Sequence, residues 1–259
     1  MKNQGSHLKR VNVLGVGINA VSLDDAVYTI SDWIDTRQRN YVNVCTVHTV
    51  MECQHLPELR SLVNNGGMAT PDGMPLVWLA RYYGQKHVTR VYGPDLMLAV
   101  CEASIAKGYR HYFYGGAQGI SHKLAENLAA RFPNLQVAGA YSPPFLPAGA
   151  IEDRSVIDAI NHTNPDIVWV GLGTPKQDYW VAKHRHLLRA PVLIAVGAAF
   201  DFHTGRLPQA PTWMQRSGLE WLYRLQKEPR RLAHRYLFFN PLFVAGVILQ
   251  LCGLKQYKF

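Results

Sequence analysis

The segment Ala69-Thr70-Pro71-Asp72-Gly73-Met74-Pro75 sets a single carboxylate, Asp72, in a Pro-Asp-Gly turn ahead of an apolar stretch. Pro fixes φ, Asp bonds locally to the backbone and Gly tolerates positive φ, so the triplet is by itself an ordinary turn signal. Two glycine-rich segments carry more explicit chemistry. Gly115-Gly116-x-x-Gly119 follows an aromatic run and opens an amphipathic one, so its backbone N–H groups and the helix dipole suit a phosphate. Without a ligand the same residues make a tight strand-to-helix turn. No Gly-Lys-Ser/Thr follows, which excludes a Walker loop. In Gly171-Leu172-Gly173-Thr174-Pro175-Lys176-Gln177 the glycines admit a close ligand and Pro175 suits a first helical turn. Gln177 then projects from the helix mouth, where its amide can bond a sugar hydroxyl or a phosphate oxygen, or simply face solvent.

Other chemistries are absent from the pattern. The 11 histidines show no metal-ligand spacing, and His184 and His186, two apart on a helix, point different ways. There is no Asp-x-Asp to hold a divalent ion on a nucleotide diphosphate, so a bound diphosphate must be neutralised by protein cations. No metal and no cofactor are expected. No G-x-S-x-G elbow and no cysteine nucleophile motif occurs.

These loops need a scaffold, and short β-rich runs alternating with amphipathic stretches supply it. The pattern predicts strands over Arg10–Val16, Tyr41–Thr46, His111–Tyr114, Gln136–Ala140, Ile167–Val170 and Val192–Val196. Helices are predicted over Leu23–Arg37, His48–Asn65 with a break at Pro57, Gly73–Tyr83, Pro94–Lys107, Ile120–Phe132, Ala150–Asn161 and Lys176–Leu188. Ser142 to Pro147 is a Pro-rich loop. Nearly continuous apolar strands imply helices on both faces of a mostly parallel sheet, a doubly wound, Rossmann-like α/β fold. In such sheets ligands lie beyond the carboxyl ends of the strands. The segments to search are then Thr46-Val47-His48, the two glycine loops and Gly197-Ala198-Ala199-Phe200-Asp201.

Gly15-Val16-Gly17-Ile18-Asn19-Ala20 imitates a dinucleotide fingerprint, G-x-G-x-x-A. Ser22-Leu23-Asp24-Asp25 is the better helix start, and no acid ends the second strand to hold a ribose, so a nicotinamide enzyme is the weakest reading.

The chain has 259 residues, 48% of them hydrophobic, enough for one main domain and an appendage. Four cysteines without C-x-x-C spacing, and a polar stretch from Met1 to Arg10, point to a reduced, cytosolic compartment. The net charge is +9, yet nine bases against two acids follow Gly205, placing about +7 in the tail. The division expected is a catalytic domain over residues 1–205 and a membrane-associating helical appendage over 206–259. A basic tail beside a nearly neutral body argues against nucleic acid as the partner. Trp213 to Phe239 reads as two helices joined at Pro229, and Arg224, Lys227, Arg231 and His234 form a cationic stripe if the helix bends there without breaking. Leu242 to Leu254 is an apolar run of about 13 residues against the roughly 20 that cross a bilayer, with Asn240 and Pro241 closing it upstream. Such a segment suits the interface of an anionic membrane, where each base adds on the order of 1 kcal/mol. A buried helix or a homo-oligomer contact remains the alternative.

Taken in order, Val42-Asn43-Val44-Cys45-Thr46-Val47-His48, Thr70-Pro71-Asp72-Gly73-Met74-Pro75, Arg90-Val91-Tyr92-Gly93-Pro94-Asp95, Tyr114-Gly115-Gly116, Gly171 to Gln177, Gly197 to Asp201 and Ala210 to Leu225 closely resemble the WecG/TagA/CpsF family of glycosyltransferases. The resemblance spans about Val11 to Phe239. It implies an inverting, metal-independent enzyme that moves N-acetylmannosamine, N-acetylmannosaminuronate or glucuronate from a UDP-sugar to a saccharide on a polyprenyl diphosphate. The reaction would take place at the cytoplasmic face of the bacterial inner membrane. It assigns Asp72 as catalytic base and Thr46, Arg90 and Gln177 as substrate-binding groups. Arg224 and Arg231 of the appendage would close over the diphosphate. The chain departs from the family in carrying His48 where many members have Asn, which bears on donor contacts, and His234-Arg235 where an Arg-Arg pair is common. The binding set expected is therefore Thr46, His48, Arg90, Gly115, Gly116, Gln177, Arg224 and Arg231. With an ordinary pKa near 3.9, Asp72 would take the acceptor proton only as the new C–O bond forms. A non-catalytic, membrane-associated nucleotide-sugar binding module is the rival, having no need of an acid at that turn.

Overall fold

The computed structural model describes residues 8–145 and 147–258; Met1–His7 of the polar N-terminus, Leu146 of the Pro-rich loop and Phe259 lie outside the described residues. The chain begins with an antiparallel hairpin, β1 (Arg10–Val13) and β2 (Val16–Asn19), where a single strand is predicted. Leu14 and Gly15 turn it with φ of 51° and 82°, the primed geometry that matches strand twist in a two-residue hairpin. The G-x-G run is thus spent on a hairpin. Helix α1 (Leu23–Asp35) starts where the capping signal lies: Ser22 Oγ accepts the Asp25 N–H while the Asp25 carboxylate accepts the Ser22 N–H.

The chain continues through β3 (Asn40–Cys45), α2 (Val47–His55), α3 (Pro57–Asn65), β4 (Met68–Pro71), α4 (Met74–Tyr82), α5 (Gly93–Lys107), β5 (Arg110–Gly115), α6 (Ile120–Arg131) and β6 (Gln136–Tyr141). It then forms α7 (Arg154–His162), β7 (Ile167–Gly171), α8 (Lys176–His184), β8 (Val192–Ala195), α9 (Ala199–His203), α10 (Thr212–Arg216), α11 (Glu220–Lys227) and α12 (Pro229–Leu251). The six strands from β3 onward make one parallel sheet in the order β4-β3-β8-β7-β5-β6. Side chains alternate between faces with period two. Val42, Val44, Phe113, Trp169 and Ile194 pack against α1, α5, α6 and α9, while Tyr112, Tyr114, Val168, Val170 and Leu193 pack against α7 and α8. This is the doubly wound, Rossmann-like arrangement expected, with a helical C-terminus.

The sequence reading gives no strand to Met68–Pro71, because four residues of Met-Ala-Thr-Pro show no alternation. Pairing with β3 from Val42↔Met68 to Cys45↔Pro71 makes it the edge strand, where a terminal Pro is tolerated. The tail also differs. Gly218, at φ 71°, separates α10 from α11, and Glu228, at φ −133° and ψ 57°, separates α11 from α12, so the helix breaks at Pro229. Asn240 and Pro241 in turn fail to stop α12, which runs unbroken for 23 residues. Pro241 removes only the N–H that would bond the Leu237 carbonyl, and Leu237 is exposed, so water can satisfy that oxygen. By length and composition α12 is apolar enough to cross a membrane, with a mean hydropathy of 1.4 over an 18-residue window. Here it lies against the body. Phe239 and Phe243 join Val13, Leu14 and Val50 in one apolar cluster, and Gln250 accepts the Leu14 N–H at 2.8 Å and donates to the Asn12 carbonyl at 2.8 Å.

Candidate active site

The sheet's order reverses beside β3: the chain leaves β3 for β4 on one side, and β8 returns on the other. Ligand crevices open at such a switch, beyond the carboxyl ends of the strands. A cleft of about 810 Å³ lies there and adjoins a second of about 660 Å³. Gly173, Thr174, Gly197, Ala198 and Arg231 line both.

Asp72 follows β4 directly and extends its ladder, its N–H donating to the Cys45 carbonyl at 2.9 Å. That places the carboxylate in the wall of the larger cleft with 13% of its side chain exposed. Arg90 Nη2 donates to Asp72 Oδ1 at 3.1 Å and Nε to the Asp72 carbonyl, while the guanidinium lies 3.9 Å over the Tyr92 ring. The same Nη2 donates to Glu220 Oε2 of α11 at 2.6 Å, and Tyr92 Oη donates to Glu220 Oε1 at 3.3 Å. Burial pushes the Asp72 pKa up to about 6; Arg90 pulls it down in part and Glu220 opposes that pull. The ordinary carboxylate value expected from sequence is therefore corrected by desolvation and a second acid. Burial disfavours the Arg90 charge, but Asp72 and Glu220 more than offset this and raise its pKa.

Gln177 is buried at the first turn of α8, and its Oε1 accepts two backbone N–H groups, from Gly173 at 3.0 Å and from Gly197 at 2.8 Å. Two N–H partners fix the amide's orientation and leave Nε2 as its donor beside the cleft. Below it Asp178, fully buried, accepts from Asn43 Nδ2 at 2.8 Å, and burial raises its pKa to about 6.

Thr46 and His48 both line the larger cleft. Thr46 caps α2, its Oγ1 accepting the Thr49 N–H at 3.3 Å, and Arg235 Nη2 donates to the same oxygen at 3.5 Å. His48 stacks on Phe239 with ring centroids 5.6 Å apart. Burial, aided by Arg235, lowers its pKa to about 3, so the ring is neutral at neutral pH. Gly116 lines the smaller cavity, but its N–H donates to the Gly171 carbonyl at 2.8 Å. Gly115, at φ 123°, is spent on a close approach of β5 and β7: a Cβ there would lie 2.6 Å from the Gly171 oxygen.

From the tail, Arg224, Arg231 and Arg235 line the larger cleft. Lys227 and His234 do not, because the break before Pro229 resets the helical register, so the predicted stripe is replaced by these three arginines. Arg231 pairs with Glu228 through Nε at 2.7 Å and Nη2 at 2.5 Å, and Arg224 lies 3.9 Å from the same acid. Arg235 has no acidic partner among the described residues, its Nε makes no hydrogen bond, and burial lowers its pKa to about 10. Sequence reasoning missed Arg235 and Glu220. The signal for Arg235 was the basic neighbour of His234; for Glu220 it was only that one of two acids stands in a strongly basic tail. Among the described residues no group of three or more His, Cys, Asp or Glu is placed to hold a metal ion.

The arrangement offers a shielded carboxylate that accepts protons near neutrality in one cleft with a set of arginines and with the loops of Gly173 and Gly197. The glycosyl transferase WecG/TagA/CpsF family matches residues 11–257. The chain is 28% identical over 216 residues to the N-acetylglucosaminyldiphosphoundecaprenol N-acetyl-beta-D-mannosaminyltransferase of Bacillus spizizenii (strain ATCC 23059 / NRRL B-14472 / W23), covering 83% of this chain and 81% of that protein. It is 31% identical over 171 residues to the protein of the same name from Bacillus subtilis (strain 168), covering 66% of this chain and 64% of that one. With the match running almost from end to end, this chain belongs to the WecG/TagA/CpsF family of glycosyl transferases.

Proposed function

We propose that the protein transfers a sugar of the N-acetylmannosamine, N-acetylmannosaminuronate or glucuronate type from a UDP-sugar to a saccharide on a polyprenyl diphosphate, with inversion and without a metal ion. The names of the two Bacillus relatives favour N-acetylmannosamine as the sugar and a diphosphoundecaprenol-linked N-acetylglucosamine as the acceptor. The observation that carries the reading is Asp72, raised to about 6 and lining the same cleft as Arg224, Arg231 and Arg235.

In this reading the Asp72 carboxylate takes the proton of the acceptor hydroxyl as its oxygen attacks the anomeric carbon from the face opposite UDP, which inverts that centre. A base poised near neutral pH removes the proton with a better driving force than one at 3.9. Arg90 is a positioning residue that holds Asp72 by its carbonyl and one carboxylate oxygen. Arg224, Arg231 and Arg235 meet the charge that grows on the departing diphosphate, a task in which one preorganised donor is worth about 3 kcal/mol. The Gln177 Nε2 donor, Thr46 and neutral His48 contact the sugars. The UDP moiety lies toward the smaller cavity, beside Gly116. Residues 206–259 act as an appendage that completes the site, with α12 binding the anionic cytoplasmic face of the inner membrane peripherally.

The test is UDP release on mixing each candidate UDP-sugar with a polyprenyl-diphosphate-linked N-acetylglucosamine in the presence of EDTA. Release with one donor, and an inverted linkage in the product, supports the reading; binding of a UDP-sugar with no release under any condition identifies a binding module instead.

A further inference from the structure

The larger cleft does not end at its charged residues. Past Arg235 its lining changes from basic to apolar: Arg231 and Arg235 lie on one flank of the buried face of α12, and Asn240, Val244, Ile248 and Leu251 on the other. The facing wall is α4, which lays Met74, Pro75, Trp78, Leu79 and Tyr82 along the cleft at helical spacing. Trp78 is 49% exposed, Tyr82 70%, Val244 55% and Ile248 54%, an apolar lining left uncovered among the described residues. At the far end Gln250 Nε2 donates to Tyr83 Oη at 3.2 Å and ties the two helices together. From Asn240 to Leu251 the helix rises about 16 Å, the reach of a farnesyl-sized chain.

From this gradient we infer that the groove between α4 and α12 holds the first isoprene units of the polyprenyl chain, its diphosphate lying at the mouth of the groove beside Asn240, next to the arginines that meet the UDP diphosphate. The inference rests on the transferase reading above and deepens it by giving the acceptor's lipid a place in the protein. A charged head followed by a hydrocarbon chain complements a lining that is cationic and then apolar, in that order and within the cleft that contains Asp72. The groove is distinct from the opposite flank of α12, where Phe238, Leu242 and Leu249 are exposed.

Calorimetry with farnesyl diphosphate and methyl diphosphate, on the full chain in detergent-free buffer, tests this without any turnover. The wild type is expected to bind farnesyl diphosphate at least tenfold more tightly. Trp78→Ala with Ile248→Asn should erase that preference, whereas Phe238→Asn with Leu242→Asn should leave it. On the wild type, a benzophenone-tagged farnesyl diphosphate should label α4 or the Val244–Leu251 part of α12. Equal affinity for the two diphosphates, loss of the preference only in the opposite-flank variant, labelling elsewhere, or equal competition by dihexanoyl phosphatidylglycerol would each overturn the groove assignment. Because binding is read separately from UDP release, a failed groove leaves the transferase reading standing, and absent transfer with intact preference does the reverse.

Discussion

Arg90 Nη2 lies closer to Glu220 Oε2, at 2.6 Å, than to Asp72 Oδ1, at 3.1 Å. The guanidinium that could have stabilised the Asp72 charge is thus shared with an acid from α11, and the second negative charge raises the pKa of the first. Replacing Glu220 with Gln should move the acid limb of the kcat/KM profile from near 6 toward lower pH. An unmoved limb would show that Asp72 does not feel Glu220 or does not titrate in catalysis.

Asp72→Asn keeps the shape of the turn and removes the proton acceptor. Turnover should fall by at least about a hundredfold while UDP-sugar binding, followed by calorimetry, stays within a few-fold of wild type. Near-wild-type turnover would refute the role of base.

Arg235→Gln separates folding from function. A buried cation without an acidic partner costs stability, so its removal should raise the melting temperature. The same change should lower turnover at least about tenfold, because a charge facing the leaving diphosphate is lost. A variant both more stable and fully active would remove Arg235 from the site.

Asp178 gives a prediction about stability and pH. Its folded pKa, about 6, exceeds the unfolded value, so the folded state holds an extra proton between about 4 and 6 and the acid destabilises the fold as pH rises through that window. Relative to wild type, Asp178→Asn should be nearly neutral at pH 4 and more stable by up to roughly 3 kcal/mol at pH 8. Equal denaturation midpoints for the two proteins at both pH values would contradict it.

The parts that were legible in the sequence are those set by local rules. Apolar runs fixed five of the six sheet strands, the Ser22 and Asp25 pair fixed the start of α1, and the strand ends fixed where Gln177 and Thr46 meet, whereas Asp72 follows a strand the pattern missed and was singled out by its turn and the family resemblance. Parts set by distant partners were not legible. Strand β4 exists because β3 offers it an edge, and α12 passes Pro241 because the orphaned carbonyl there faces solvent. The pKa of Asp72 depends on Glu220, 148 positions later in the chain, and no local pattern records that approach.

Gln177 imposes a polarity on whatever enters. With its oxygen engaged by the two glycine-loop amides, the side chain can offer a visitor a hydrogen but no lone pair. The group opposite must therefore accept. A hydroxyl, N-acetyl carbonyl or phosphoryl oxygen would satisfy this corner of the pocket and a free ammonium would not, so a sugar with an unacylated amino group at that position would be turned away by electronic complementarity alone, before shape is consulted.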